Sequence, residues 1–506
     1  MDTALGRKSI NHHNKVYSAA QIREETAEFV VPDTQPDIAE IIDTQGLVLL
    51  RSKDIEAGRA GLAGNVSATV LYMPEGAEGI CKLNVIIPFS AYAESAEIRE
   101  STISVVNARI LSIDARVLNP RKVLVRVEIL AEMDCYEEEE LALTDSITGP
   151  EGHEIHMLVS TISLSPVTSV REKTFVLNDE FQIPAMLPAL DELLGHRVDL
   201  ISEDVKSVGS KLVFKGSAIV NILYCAGEDR AVYNAMFTTA FSQLIEMEML
   251  SEQPDAEIRL ALTGSYIEPT SISQDGRGLN CELHLVAQAI TRDRAELEYI
   301  ADAYSNEYEL RLERQELEAP AMSRRETIRE TVRELLETPQ SVREIVSLTP
   351  IIGTAGVSGN EIRVPVAVKL LYRNEFGTLC CASKSIVAEV QVELTAGAEL
   401  SVADVRVTEV IATATTGGVE LRIPVDIDIL VSERRSLTNI CVAELDEESP
   451  IDVANCPSVT VLLTGTGFDV WELAKRYRST PELIAAANEE GTAGLILVPR
   501  CSPQRS

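Results

Sequence analysis

NVSATVLYM (65–73), SAIVNILYC (217–225) and PVAVKLLYR (365–373) are three strand-like stretches that each run through alternating apolar residues into a Leu-Tyr pair. Tyr72 and Tyr224 are 152 residues apart, and Tyr224 and Tyr372 are 148 apart. A second marker lies upstream of each: DIAEII (37–42), LDELL (190–194) and VREIV (342–346), with Glu40, Glu192 and Glu344 spaced 152 and 152. Two independent markers with one period identify tandem repeats of about 150 residues. The repeats are placed at 20–165, 166–310 and 311–448, after a polar N-terminal tail over 1–19 and before a small module at 456–501.

Each repeat has a second strand-rich half. LVRVEIL (124–130), LNCELHLV (279–286) and LRIPVDIDIL (421–430) alternate with period two, and Asn119-Pro120, Asp275-Gly276 and Gly417-Gly418 supply the turns before them. The expected fold class is mainly β: three tandem antiparallel sandwich or open-barrel domains, plus a small β-α-α-β C-terminal module. Alternation, rather than continuous apolar runs, argues against a buried parallel sheet. Two segments read as helical. Pro36 followed by Ile38, Ile41 and Ile42 fits one amphipathic turn plugging an open end of the sheet. Arg324–Glu337 carries Ile328, Val332, Leu335 and Leu336 at helical spacing, although the matching segments EFVVP (28–32) and KTFVL (173–177) of the other repeats read as strands.

Composition excludes several classes. With 79 acidic and 45 basic residues the formal net charge is −34, which repels nucleic acid and anionic membranes. Aromatics at 4% leave little for base-stacking platforms, so the cores rest on Val, Ile, Leu and Ala. No apolar run reaches the about 20 residues of a membrane span, and the start MDTALGRKSINHHNKVYS lacks a secretory apolar run, so a cytoplasmic chain is expected. The nine cysteines are scattered without a C-x-x-C, which suits reduced thiols acting as small hydrophobes. No metal and no cofactor is expected, because no ligand cluster is visible.

Single motifs point the same way. His153-Glu154-Ile155-His156 is one residue short of H-E-x-x-H and reads as an exposed loop, as does His12-His13 in the tail. The Glu137–Glu140 run reads as a solvated loop, since calcium loops need alternating ligands and a turn glycine. Neither G-x-S-x-G nor a P-loop occurs, and no nucleophile–base pairing is apparent, so no catalytic residue is assigned and the chain reads as a non-enzyme.

After Cys456 the chain changes character, with five acids and five bases over 456–506. Strand VTVLL (459–463) leads to a helix capped by Asp469 with Glu472 three residues on, presenting Val470, Leu473, Ala474 and Tyr477 on one face. Thr480-Pro481 opens a second helix that Gly491 stops, and LILVP (495–499) closes the module.

Gly467, Trp471, Leu473, Ala474, Tyr477, Leu483 and Asn488 make this module resemble LysM, a carbohydrate-binding domain. The resemblance implies a groove for glycan or for a protein partner at Gly465, Thr466, Gly467, Phe468, Asp469, Asn488 and Leu495, over a core of Trp471, Leu473 and Tyr477. Trp471, on the first helix, is expected in the core rather than as a sugar platform, and Phe468 in the loop is the better exposed contact. The run VPDTQPDIAEII (31–42) and the strands ending in Leu-Tyr resemble SPOCS-type spore-coat domains. Three such repeats followed by LysM is the layout of clostridial spore-coat morphogenetic proteins. It implies a structural adaptor in the mother-cell cytoplasm, assembled at the forespore surface, whose partners are the ATPase of the coat's basal layer and other coat proteins. The alternative is a peptidoglycan- or chitin-oligomer-binding protein anchored through the module.

Overall fold

The computed structural model describes residues 3–76, 79–247, 255–270, 275–452, 457–463, 469–488 and 495–501. It is mainly β, as the alternation requires. Repeat 1 contains β1 (Ala4–Val30), β2 (Ile38–Glu56), β3 (Arg59–Pro74), β4 (Cys81–Glu94), β5 (Ile103–Asn119) and β6 (Lys122–Thr148). Repeat 2 begins before residue 166, because β7 (Ile155–Leu164) pairs with β14 (Ala295–Ser305); between them it contains β8 (Val167–Gln182), β9 (Glu192–Val208), β10 (Lys211–Ala226), β11 (Ala231–Glu246), β12 (Asp255–Pro269) and β13 (Gly278–Arg292). Repeat 3 contains β15 (Tyr308–Glu337), β16 (Val342–Ile352), β17 (Gly356–Ser358), β18 (Glu361–Asn374), β19 (Leu379–Gln391), β20 (Ala398–Val407), β21 (Ile411–Thr415) and β22 (Gly418–Pro450).

Every repeat is a sandwich of two antiparallel sheets. One sheet is β2-β3-β4, β9-β10-β11 or β16-β18-β19; the other is β1-β6-β5, β8-β13-β12 or β15-β22-β20, those of repeats 1 and 2 being joined into one six-stranded sheet where His13 of β1 pairs with Val167 of β8. The first and last strands of each repeat run on beyond the sandwich as a two-stranded ribbon. These ribbons are Ala4–Lys15 with Tyr136–Thr148, β7 with β14, and the first part of β15 with the last part of β22. The ribbons of all three repeats share apolar clusters, among them Leu143, Leu164, Leu297 and Leu437.

The Leu-Tyr pair has a geometric meaning. Neighbouring strand residues point to opposite faces. Tyr72, Tyr224 and Tyr372 face the cores of their own sandwiches. Leu71, Leu223 and Leu371 face away and meet each other in one cluster shared by all three repeats, joined by Ile80, Val232 and Leu379. Three further members, Ile42, Leu194 and Val346, are each the residue skipped by a register shift in β2, β9 and β16. A bulge re-aims its extra side chain, and here it aims that side chain at the common axis.

The three sandwiches therefore close into a ring with pseudo-threefold symmetry. Arg230 Nη2 donates to Ile80 O at 3.2 Å between repeats 2 and 1, and Arg406 Nη1 to Ser202 O at 3.2 Å between repeats 3 and 2. Lys369 Nζ reaches Asp43 Oδ1 at 3.1 Å between repeats 3 and 1. Heterologous contacts that return to their starting point give a ring rather than an open filament.

Several sequence expectations need correction. DIAEII is strand, not a helical turn: bulges at Ala39 and Ile42 give Ile38, Ile41 and Ile42 a helix-like spacing within β2. Arg324–Glu337 is the end of β15, paired with β22. Ile328, Val332 and Leu336 are four apart, a spacing that shares one face in a helix and in a strand alike, while Leu335 is exposed. Residues 4–19 are not a loose tail but part of β1, with His12 buried. Glu137–Glu140 lies within β6, and Glu137 is buried, accepting from the Ser101 hydroxyl at 2.9 Å. His153 is half-buried rather than exposed, its Nδ1 2.5 Å from Glu307 Oε2, and His156 lies on β7 beside Tyr304.

Candidate docking surface

The C-terminal module follows the order read from its residues: β23 (Val459–Leu463), α1 (Val470–Tyr477), α2 (Pro481–Ala487) and β24 (Leu495–Pro499). Asp469 caps α1, its carboxylate accepting from Trp471 N at 2.9 Å, and Arg478 ends the helix with φ 56°. Thr480 caps α2, accepting from Leu483 N at 3.2 Å. The core is thin: Trp471, Ala474, Ile484, Ile496 and Val498, with Leu473 and Tyr477 partly buried against them.

That core is completed from outside. Tyr304 of β14 belongs to the same cluster, and its ring meets Trp471 edge-on with centroids 4.9 Å apart. Trp471 Nε1 donates to Asp302 Oδ2 at 2.9 Å and Lys475 Nζ to the same oxygen at 2.6 Å. Burial resists ionisation of Asp302, but the Lys475 ammonium and the indole N–H outweigh it and hold the carboxyl below the usual carboxylate range. Tyr304 Oη and Asn306 Nδ2 both donate to Ser479 O, at 2.8 and 3.1 Å, and Arg478 Nη1 donates to Ser305 O at 3.2 Å. The module is thus seated on the ribbon of repeat 2.

The residues expected to form a groove are divided by the structure. Gly465, Thr466, Gly467 and Phe468 lie outside the described residues. Asp469 and Asn488 are occupied by the module's own backbone, Asp469 as a helix cap and Asn488 between α2 and β24. Leu495 is exposed on β24. Trp471 is buried, turned toward repeat 2 rather than toward solvent. The sequence reading missed the anchoring residues Asp302, Tyr304 and Asn306, which lie far away in the chain and carry no motif.

One face that the module leaves open is apolar. Thr460 and Leu462 turn inward, while Val459, Val461 and Leu463 turn outward and are exposed, Leu463 at 90%. Leu495, paired with Leu463, extends the same outer face. A contiguous exposed apolar face on a small module marks an interaction surface.

A second feature lies between the repeats, a cavity of about 770 Å³ lined by charged side chains from all three. Arg259 pairs with Asp134 at 2.8 Å and Glu257 at 2.7 Å, and Arg406 with Asp428 at 3.1 Å. Burial opposes the charge on Asp134, yet Arg259 and Lys15 hold its carboxyl low. These cations face carboxylates, so the cluster aligns the repeats. Among the described residues no group of three His, Cys, Asp or Glu side chains is placed to hold a metal, and no helix is long and apolar enough to cross a membrane.

Residues 37–118 match the family model described as SipL, SPOCS domain. The match spans β2 to β5 and includes Ile42 and the Leu71-Tyr72 pair, which build the axis and the sandwich core. It supports a protein of the spore-coat type with a sporulation-related role. No curated protein and no solved structure matches the chain.

Proposed function

We propose that this chain is a non-enzymatic adaptor of spore-coat morphogenesis. In this reading the ring of three sandwiches is a rigid body and the C-terminal module is its docking element. The module engages the ATPase of the coat's basal layer at the forespore surface, in the mother-cell cytoplasm, and the acidic sandwiches present further surface to other coat proteins. The observation that carries the reading is the match of residues 37–118 to the SPOCS domain. The exposed apolar face of Val459, Val461 and Leu463 supports the placement of docking there. A surface on a pre-assembled lattice gains strength from many weak contacts. The test is recruitment of the basal-layer ATPase from sporulating cells by the full chain and by a Val461→Glu, Leu463→Glu variant. Loss in the variant, with Trp471 emission unchanged, is expected; undiminished recruitment defeats the placement on the module. The β-α-α-β order of residues 459–499 favours one further reading, a glycan-binding module. Binding of chitin oligomers by the full chain, without ATPase recruitment, is the result that selects it.

A further inference from the structure

The two edges of the β23–β24 ribbon differ in kind. Along β24, Leu497 N donates to Asn488 Oδ1 at 2.9 Å and Leu497 O accepts from Asn488 Nδ2 at 2.7 Å. Both main-chain groups of Leu497 therefore point outward, and the Asn488 amide closes that edge as a further strand would. Leu497 is paired with Val461. In an antiparallel pair, partners alternate between those that exchange hydrogen bonds and those that do not. Since Leu497 spends its groups on Asn488, Val461–Leu497 is a pair without mutual bonds. By alternation so are Val459–Pro499 and Leu463–Leu495. Val459, Val461 and Leu463 thus turn their N–H and C=O groups to the outer edge of β23. Among the described residues β23 pairs only with β24.

An open edge on an uncharged strand is a template for another strand, and proteins ordinarily blunt such an edge with charge, proline or a bulge. VTVLL (459–463) has none of these. The residues whose backbone groups face this edge are the same three whose side chains form the exposed apolar face. A strand added here gains main-chain bonds and an apolar neighbour on one face together. Residues before 456 carry the whole −34 and the module itself is balanced, so two such bodies repel each other at long range, while a cationic segment is drawn toward the acidic body that carries β23.

The geometry points to β23 as a strand-addition site, which takes an extended segment of another polypeptide with alternating apolar residues and flanking lysine or arginine. This rests on reading the module as the docking element. Because the probe below is synthetic, its failure leaves the recruitment experiment standing.

The probe is a labelled peptide of about nine residues, the length of an ordinary strand, alternating valine and threonine between terminal lysines. Binding to the full chain is read by fluorescence anisotropy. Two controls keep the side chains and alter one property each: alternate backbone N-methylation, and glutamate in place of lysine. The lysine peptide is expected to bind, and each control to bind at least about tenfold more weakly. Val461→Pro removes one outward N–H from a position that makes no bond to β24, and proline is tolerated on such an edge. It is expected to weaken binding by about tenfold. Leu463→Lys, which charges the edge, is expected to do the same. Trp471 emission reports in each variant whether the module is still seated. Equal binding of the N-methylated peptide, no binding of any peptide, or full affinity in both variants overturns the proposal. So does concentration-dependent self-association of the chain in sedimentation that Val461→Pro abolishes, because the edge then belongs to a second copy.

Discussion

The ribbon of repeat 2 and its two counterparts are built alike and used differently. Each carries a bulge at the same place, at Asp145, Ala301 and Cys441. The first and third residues after it stand on the outer face. They are Ser146 and Thr148 in repeat 1, Asp302 and Tyr304 in repeat 2, and Val442 and Glu444 in repeat 3. In repeat 2 these two side chains hold the C-terminal module, and Tyr304 is buried by it; Thr148 and Glu444 are exposed. The scaffold is thus threefold in its backbone and single in its docking chemistry. Position along the chain is not what singles out repeat 2, since repeat 3 is nearer to the module in sequence. A carboxylate for the indole and the ammonium, and a ring for the indole face, are what the other two ribbons lack.

The sharpest way to break this comparison is Trp471→Ala. Removing a buried tryptophan typically costs about 3–5 kcal/mol, comparable to the whole stability of so small a core. The module is expected to detach and unfold while circular dichroism of the sandwiches persists. Exposure to limited proteolysis confined to residues beyond 452 is the expected pattern, and cleavage throughout the ribbons would show that the module supports the ring.

Next comes Leu223→Ala at the shared axis, with an expected loss of about 2–5 kcal/mol. Because Leu71, Leu223 and Leu371 occupy one cluster, calorimetry should show a single transition for all three repeats shifted together. A shift confined to one of several transitions would mean that the sandwiches melt independently.

The pH response sharpens the contrast between ring and module. Burial pushes the His196 imidazole down to about 4, from an ordinary 6.5, and burial lowers His12 and His13 as well. The unfolded chain then binds protons that the folded chain refuses, so stability falls as pH drops below 6.5. For His196 the loss is complete near pH 4 and amounts to about 3 kcal/mol. Asp302 titrates lower: its contribution holds above the ordinary carboxylate range and is lost only below it. Melting temperature should therefore decline between pH 6.5 and 4 while Trp471 emission stays constant, and His196→Asn should flatten part of the decline. An emission shift that begins near pH 6 would reverse the assignment.

The smallest expected effect is Tyr72→Phe. It removes one hydroxyl, 3.3 Å from Pro36 O, that steadies the turn between β1 and β2. A loss of about 1 kcal/mol in denaturant unfolding is expected. A loss several times larger would place the turn, and not the axis, at the centre of the repeat.

Much of this architecture was legible in the residues and some of it was not, for definite reasons. Period-two alternation placed the strands, and the Leu-Tyr spacing placed the repeats. That Leu71 faces a neighbour while Tyr72 faces home was out of reach, because two adjacent apolar residues look the same whichever side is buried. DIAEII was misread because its bulges imitate helical spacing. Residues 4–19 were misread as a tail because a two-stranded ribbon with a solvated face needs few apolar side chains. In the module, Asp469 and Thr480 were legible as caps, since capping is local. Asp302 was not, because its partner Trp471 stands 169 residues away and nothing local marks either as half of a pair.

Closure of the ring sets a valence. A threefold body assembled from three separate chains would display three copies of everything attached to them, and would fall apart on dilution. Joining the repeats in one polypeptide makes closure intramolecular, so the ring forms at any concentration. It also leaves each ring with one terminal module, carried off-axis on the ribbon of repeat 2. The body is therefore one-handed: near-symmetric about its axis, with a single module whose direction is fixed by Asp302 and Tyr304.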